Sequence, residues 1–130
     1  MRGALLLAAL AAGMVATSAS AAATPRKVIA SHCSPSGDVC YGVVSRSGAV
    51  YFELTTPARY FLRHRLCVRP PSGAARCRTY AMRPGPRMWS SIVRYARQFP
   101  HSGPGVYRVT WRLGSNPLGP TLRFRLPLRP

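Results

Sequence analysis

Residues 104–128 read PGVYRVTWRLGSNPLGPTLRFRLPL, and their pattern decides the fold. Tyr107, Val109, Trp111 and Leu113 alternate with Arg108, Thr110 and Arg112. After the turn-rich GSNPLGP of 114–120 the alternation resumes, with Leu122, Phe124 and Leu126 set against Thr121, Arg123 and Arg125. A period of two with one apolar face and one arginine face predicts a half-buried antiparallel hairpin. One face has to find a core, and the other has to meet water or a partner.

The same reading extends outward along the chain. Over 60–69, Tyr60, Leu62, His64, Leu66 and Val68 alternate with Phe61, Arg63, Arg65, Cys67 and Arg69; Pro70-Pro71-Ser72-Gly73 then turns the chain, and 76–82 returns as another strand. Residues 41–44 and 49–55 flank Ser45-Arg46-Ser47-Gly48 as a second hairpin, with Val50, Phe52 and Leu54 pointing inward and Pro57 closing it. Residues 24–30 suit a short first strand or a loose arm. The segment 88–99, MWSSIVRYARQF, fits two periods: Trp89, Ser91, Val93, Tyr95 and Phe99 suit a strand with one break, whereas Trp89, Ile92, Val93 and Ala96 suit a helix face. The β surroundings and the poor helix-forming Ser90-Ser91 favour the strand. About seven short strands, with turn signals roughly every eight to twelve residues, predict an all-β, two-sheet sandwich. Its expected core is Leu54, Leu62, Leu66, Val109, Trp111, Leu122 and Phe124.

The beginning of the chain reads differently. Met1-Arg2-Gly3 forms a short positive region, residues 4–15 are small or apolar, and Ala19-Ser20-Ala21 and Ala21-Ala22-Ala23 supply the small-x-small pattern of a cleavage site. Residues 1–23 are thus expected to be a secretory signal peptide, cleaved near Ala23, and 24–130 a single secreted domain. The alternative is a membrane anchor, but a spanning helix needs about 20 strongly apolar residues and this stretch is mostly alanine. Removing the leader leaves 18 basic residues against Asp38 and Glu53, a net charge of +16. Charge of that density favours polyanionic partners and works against compaction. Only Lys27 among the basic residues of that domain is a lysine. An Arg-rich, Ala-rich, Gly-rich and Pro-rich composition also follows from a GC-rich genome, although that explains the scarcity of carboxylates less well.

Four cysteines in a short exported chain predict two disulfides, for which three connectivities exist. Turn-rich sequence between neighbours favours Cys33 with Cys40 and Cys67 with Cys77. The competing metal site needs C-x2–4-C spacing, and the intervals here are six and nine residues. No metal and no cofactor is expected. Chemistry by paired carboxylates is disfavoured, since Asp38 suits its own turn and Glu53, outward on its strand, suits an arginine. His32 abuts a disulfide turn, His64 lies among inward apolar residues and His101 lies in a Pro/Gly loop. Neither a G-x-S-x-G elbow nor a glycine-rich phosphate loop is present. No catalytic residue is therefore assigned, and a small hydrolase or nuclease stands as an alternative.

The segment Gly103-Pro104-Gly105-Val106-Tyr107-Arg108-Val109-Thr110-Trp111 resembles the loop and penultimate strand of immunoglobulin-like and fibronectin-type domains. The resemblance implies an immunoglobulin-like sandwich in which Tyr107 forms a tyrosine corner, its ring capping the core and its hydroxyl bonding back to main chain. The whole chain also resembles small secreted bacterial proteins, a likeness that carries no activity with it. In architecture, the bridged hairpins are similar to secreted immunoglobulin-like apoproteins that carry enediyne chromophores, which keeps a small-molecule carrier as a further alternative.

The outward positions define the candidate site. If 60–69, 107–113 and 121–126 are neighbours in one sheet, Arg63, Arg65, Arg69, Arg108, Arg112, Arg123 and Arg125 converge on one face. Guanidiniums offer planar, bidentate donors to phosphate, sulfate or carboxylate, with Phe61 at the edge to add stacking. The expected partner is an anionic polymer or a membrane or wall surface, nucleic acid being one such polymer without sequence specificity. Against this, arginines on exposed strands also keep sheets soluble.

Overall fold

The computed structural model describes residues 12–18 and 25–129. The signal-peptide reading of 1–23 lies for the most part outside the described residues. Ten strands and one helical turn follow one another: β1 (Arg26–Cys33), β2 (Cys40–Arg46), β3 (Ala49–Thr56), β4 (Arg63–Arg69), β5 (Arg76–Ala81), β6 (Arg83–Pro84), β7 (Trp89–Arg94), α1 (Tyr95–Gln98), β8 (Gly105–Leu113), β9 (Asn116–Pro117) and β10 (Leu122–Leu126). All pairings are antiparallel, and they build two five-stranded sheets that pack as a sandwich. One sheet has the order β1-β2-β3-β7-β6; the other runs β10-β8-β4-β5, with β9 added to β8. The all-β, two-sheet architecture is as expected. Residues 24–30, read as a first strand or an arm, enter strand β1 at Arg26, and the two-residue strands β6 and β9 are the additions to the expected set.

Local chemistry explains the turns. Arg46 and Ala49 face each other across a two-residue loop in which Ser47 and Gly48 both have positive φ, at 50° and 75°. Two left-handed residues give a turn whose twist matches the flanking strands. The β1–β2 turn is held by serines: the Val39 N–H donates to Ser34 Oγ (3.1 Å) and the Asp38 N–H to Ser36 Oγ (3.4 Å). The expected capping role of Asp38 thus passes to its serine neighbours. Cys33 and Cys40 pair across the base of this hairpin and Cys67 and Cys77 across β4 and β5, and both pairs are disulfide-bonded. Two disulfides suit an oxidising, extracytoplasmic compartment.

Phe52 stands in the middle of the core, edge-on to Tyr95, Phe99, Trp111 and Phe124. Tyr107 stacks on Phe124 with centroids 5.1 Å apart, and Tyr41 stacks on Trp111 at 4.5 Å. Edge-to-face and offset-stacked pairs of this kind add about 0.5–1.5 kcal/mol each beyond area burial. Of the expected core residues, Leu54, Leu66, Val109, Trp111 and Phe124 are buried and Leu122 packs against the cluster from its margin.

Leu62 is the exception, 63% exposed. The strand begins at Arg63, because the crossing between sheets bends over 57–62: Thr56 Oγ1 donates to the Ala58 carbonyl (2.7 Å), and the Tyr60 N–H donates to that same carbonyl (2.9 Å). Leu62 contributes its carbonyl to the Met82 N–H while Phe61, expected outward, packs against the core in its place. In 88–99 the strand reading holds through Arg94, with Ser91 and Val93 buried and Ile92 exposed, and the break is α1, a single helical turn that folds Tyr95 and Phe99 into the core.

Candidate anion-binding face

β4, β8 and β10 are neighbours in one sheet, and their register sets the arginines in rows. Arg69 stands directly opposite Arg108, and Arg108 directly opposite Arg123, so three guanidiniums cross three adjacent strands side by side. Arg65 and Arg112 form a second row. Directly opposite side chains start about 5 Å apart at Cβ, and two unit charges about 6 Å apart repel by about 0.7 kcal/mol even in bulk water. Neither acidic residue of the chain lies on this sheet to offset that repulsion: Asp38 is in the β1–β2 turn and Glu53 is in β3.

Between the rows lies a floor of small side chains. The Cys67–Cys77 disulfide occupies β4 and β5, Thr110 stands opposite Cys67 on β8, and Thr110 and Thr121 share a hydroxyl–hydroxyl hydrogen bond of 2.7 Å. Arg65, Arg69, Arg108 and Arg112 wall this floor, with Ala75, Gly114 and Ser115 at its margins, enclosing an open groove of about 520 Å3. Arg112 is half-buried and partly positioned by its own loop, since its Nη1 donates to the Ser115 carbonyl at 2.9 Å. The other three are exposed.

Four of the seven arginines assigned from sequence thus line one groove, and Arg123 extends one of its walls. Arg63 is exposed at the start of β4, opposite Ala81, and Arg125 lies at the other margin, in a separate groove with Lys27 and Arg129. Phe61 is packed on the core and gives this face no stacking surface. Thr110, Thr121 and the disulfide as the floor of the groove, and Ala75 at its margin, escaped the sequence reading. The alternation Arg108-Val109-Thr110-Trp111-Arg112 already places Thr110 between two arginines on one face, and that was the available signal.

Two polar clusters elsewhere have structural explanations. Glu53, 8% exposed, receives Arg26 Nη2 at 2.6 Å and Arg46 Nη2 at 3.2 Å, and the bond to Glu53 holds the Arg26 guanidinium above its ordinary pKa. This ties β1 and β2 to β3 on the outer face of the first sheet. His64 Nε2 and Ser91 Oγ lie 2.7 Å apart, both buried, while His64 Nδ1 has no partner. Burial lowers the imidazole pKa to about 4. With no carboxylate to orient it and no exposure, this pair joins the two sheets inside the core. Among the described residues no cluster of three or more His, Cys, Asp or Glu could hold a metal ion. No family model, no curated protein and no solved structure matches the chain.

Proposed function

We propose that the chain is a secreted, non-catalytic, strongly basic module that binds an anionic polymer or surface through the outer face of the β10-β8-β4-β5 sheet. The leader 1–23 directs export, and 24–130 is the exported domain. The observation that carries this reading is the in-register row Arg69, Arg108 and Arg123 beside the row Arg65 and Arg112, with no carboxylate on the sheet. Outward-facing residues do not owe their places to packing, and like charges placed opposite one another are destabilising. A bound oxyanion converts that repulsion into bidentate, charge-assisted hydrogen bonds.

The connectivity is read as immunoglobulin-like. The order β2-β3-β7-β6 follows A-B-E-D, and β10-β8-β4 follows G-F-C, with Tyr107 near the start of the F-equivalent strand. The Tyr107 hydroxyl donates to the Gly103 carbonyl, four residues upstream, at 2.6 Å. That bond has the form of a tyrosine corner.

The test is retention on immobilised heparin at graded salt, comparing the protein with the double variant Arg108→Ser/Arg123→Ser. Both arginines are exposed, so the fold is expected to survive. The variant is expected to elute at clearly lower salt, because fewer counterions are released on binding. Unchanged retention would reduce the arginines to solubilising residues.

A further inference from the structure

The groove between the arginine rows runs across the strands, and its dimensions bear on what enters it. Arg65 and Arg69 are four residues apart on β4, as are Arg108 and Arg112 on β8. At about 3.3 Å per residue the two rows stand about 13 Å apart. Cys77, Cys67 and Thr110 line up midway between them across β5, β4 and β8, and Thr121, just before β10, continues the line through its bond to Thr110. Four strands at about 4.8 Å spacing make this trough about 15 Å long. Its floor is low because those side chains are small, and its walls are long, flexible and cationic on both sides.

Resting on the reading of this face as an anion site, we infer that the trough takes a single linear chain of repeated phosphate groups lying across the strands, and that it recognises the phosphates and not any base attached to them. Guanidiniums from opposite walls reach one chain from both sides. Of the Thr110 and Thr121 hydroxyls, the one that accepts their mutual hydrogen bond keeps its own proton free to donate to a phosphate oxygen. A duplex, about 20 Å across with its phosphates on the outside of a rigid rod, meets the rims of such a trough and leaves the floor empty. Single-stranded nucleic acid is ordinarily held by aromatic platforms on which bases stack. The residues lining this groove include no aromatic side chain. A phosphate polymer without bases, whether a polyol phosphodiester or inorganic polyphosphate, is therefore the better fit.

The experiment measures binding of inorganic polyphosphate, poly(glycerol phosphate), single-stranded poly(dT) and duplex DNA at equal phosphate concentration and fixed salt, by fluorescence competition. It uses the protein and the variant Thr121→Trp, which fills the exposed end of the floor and leaves every arginine in place. At least one of the two base-free chains is expected to bind about tenfold more tightly than duplex DNA and than poly(dT), and which one does so identifies the source of the phosphate. Thr121→Trp is expected to lower that affinity about tenfold while its elution from a cation-exchange resin stays the same. Ala75→Trp, at the margin of the floor, repeats the test should the first variant fold poorly by circular dichroism. Duplex DNA or poly(dT) binding as tightly as both base-free chains would overturn the inference, as would an unchanged affinity in a folded, floor-filled variant. Either result leaves the polyanion reading intact if Arg108→Ser/Arg123→Ser still weakens heparin retention; loss of that dependence removes both.

Discussion

The hydroxyl of Tyr41 donates to the main-chain carbonyl of Pro120 at 2.6 Å, joining β2 of one sheet to the loop that leads into β10 of the other. The same ring stacks on Trp111, and the β8–β10 connection closes over both, with the Leu118 N–H donating to the Trp111 carbonyl at 2.8 Å. An intramolecular hydrogen bond of this kind contributes about 0.5–1.5 kcal/mol net. Tyr41→Phe is expected to lose about that much by urea denaturation, and to raise amide exchange over 118–121 more than over β4. Equal exchange in the two regions would show that the bond does not anchor this connection.

Among the described glycines, Gly105 alone combines a positive φ with a contact that a Cβ would make below 3.0 Å. Its φ is 135°, and a Cβ there would come within 2.9 Å of Pro71 Cβ and 2.8 Å of Pro71 Cγ. Gly105→Ala combines a disfavoured backbone conformation with displacement of the ring that closes the β4–β5 turn onto the start of β8. A loss of about 2–3 kcal/mol is expected, whereas Gly48→Ala, strained in φ but in open space, is expected to cost less. Thermal melting of the two variants side by side checks the order.

His64 couples stability to pH. Its folded-state pKa of about 4 lies below the ordinary value of 6.5 because burial disfavours the imidazolium. The unfolded chain therefore binds more protons between pH 6.5 and 4, and stability falls as pH falls through that window. The loss is on the order of 3 kcal/mol across the window. The double variant His64→Leu/Ser91→Ala removes both partners, so neither is left unsatisfied, and it is expected to flatten the pH dependence of the urea midpoint over this range. A slope equal to that of the unaltered protein would place the pH sensitivity elsewhere.

Glu53, one of the two acidic side chains on a strongly cationic molecule, serves two arginines. Glu53→Gln keeps the shape and removes the charge, leaving Arg26 and Arg46 without their anion. A cost of about 2 kcal/mol is expected, since charge-assisted bonds in a partly buried site exceed neutral ones. Because Arg26 begins β1, amide exchange in β1 is expected to rise more than in β7, which pairs with β3 but contributes no arginine to this cluster. Native-state hydrogen exchange reads both.

Much of this architecture was legible because period-two alternation is a local property. Phe52 and Leu54 point inward, and Arg108, Arg123 and Arg125 point outward, for the same reason: successive side chains of a strand leave on opposite faces. The local disulfides were legible because a turn-rich segment between two cysteines brings them together without help from the rest of the chain. Leu62 was misjudged because alternation says nothing about where a strand begins, and here the crossing between the sheets consumes the expected first turn of the pattern. The phase of 88–99 was ambiguous because both periods place Trp89 and Val93 on one side, and packing around Phe52 decides that helical geometry starts only at Tyr95.

From the sequence by itself came the excess of arginine over carboxylate, the strand faces, the hairpins and the disulfide pairing, all of which depend on residue type and short spacing. Only the tertiary structure decided which arginines become neighbours. Arg69 and Arg123 are more than fifty residues apart along the chain, and their common row depends on the register of β8 against both β4 and β10. Register is set by how the inward residues Val68, Val109 and Phe124 interlock with the opposite sheet, and a slip of one residue would turn each of those arginines into the core. The small-residue floor between the rows has the same origin: Cys67, Thr110 and Thr121 have no sequence relation to one another, and the packing that aligns the core on one face aligns the trough on the other.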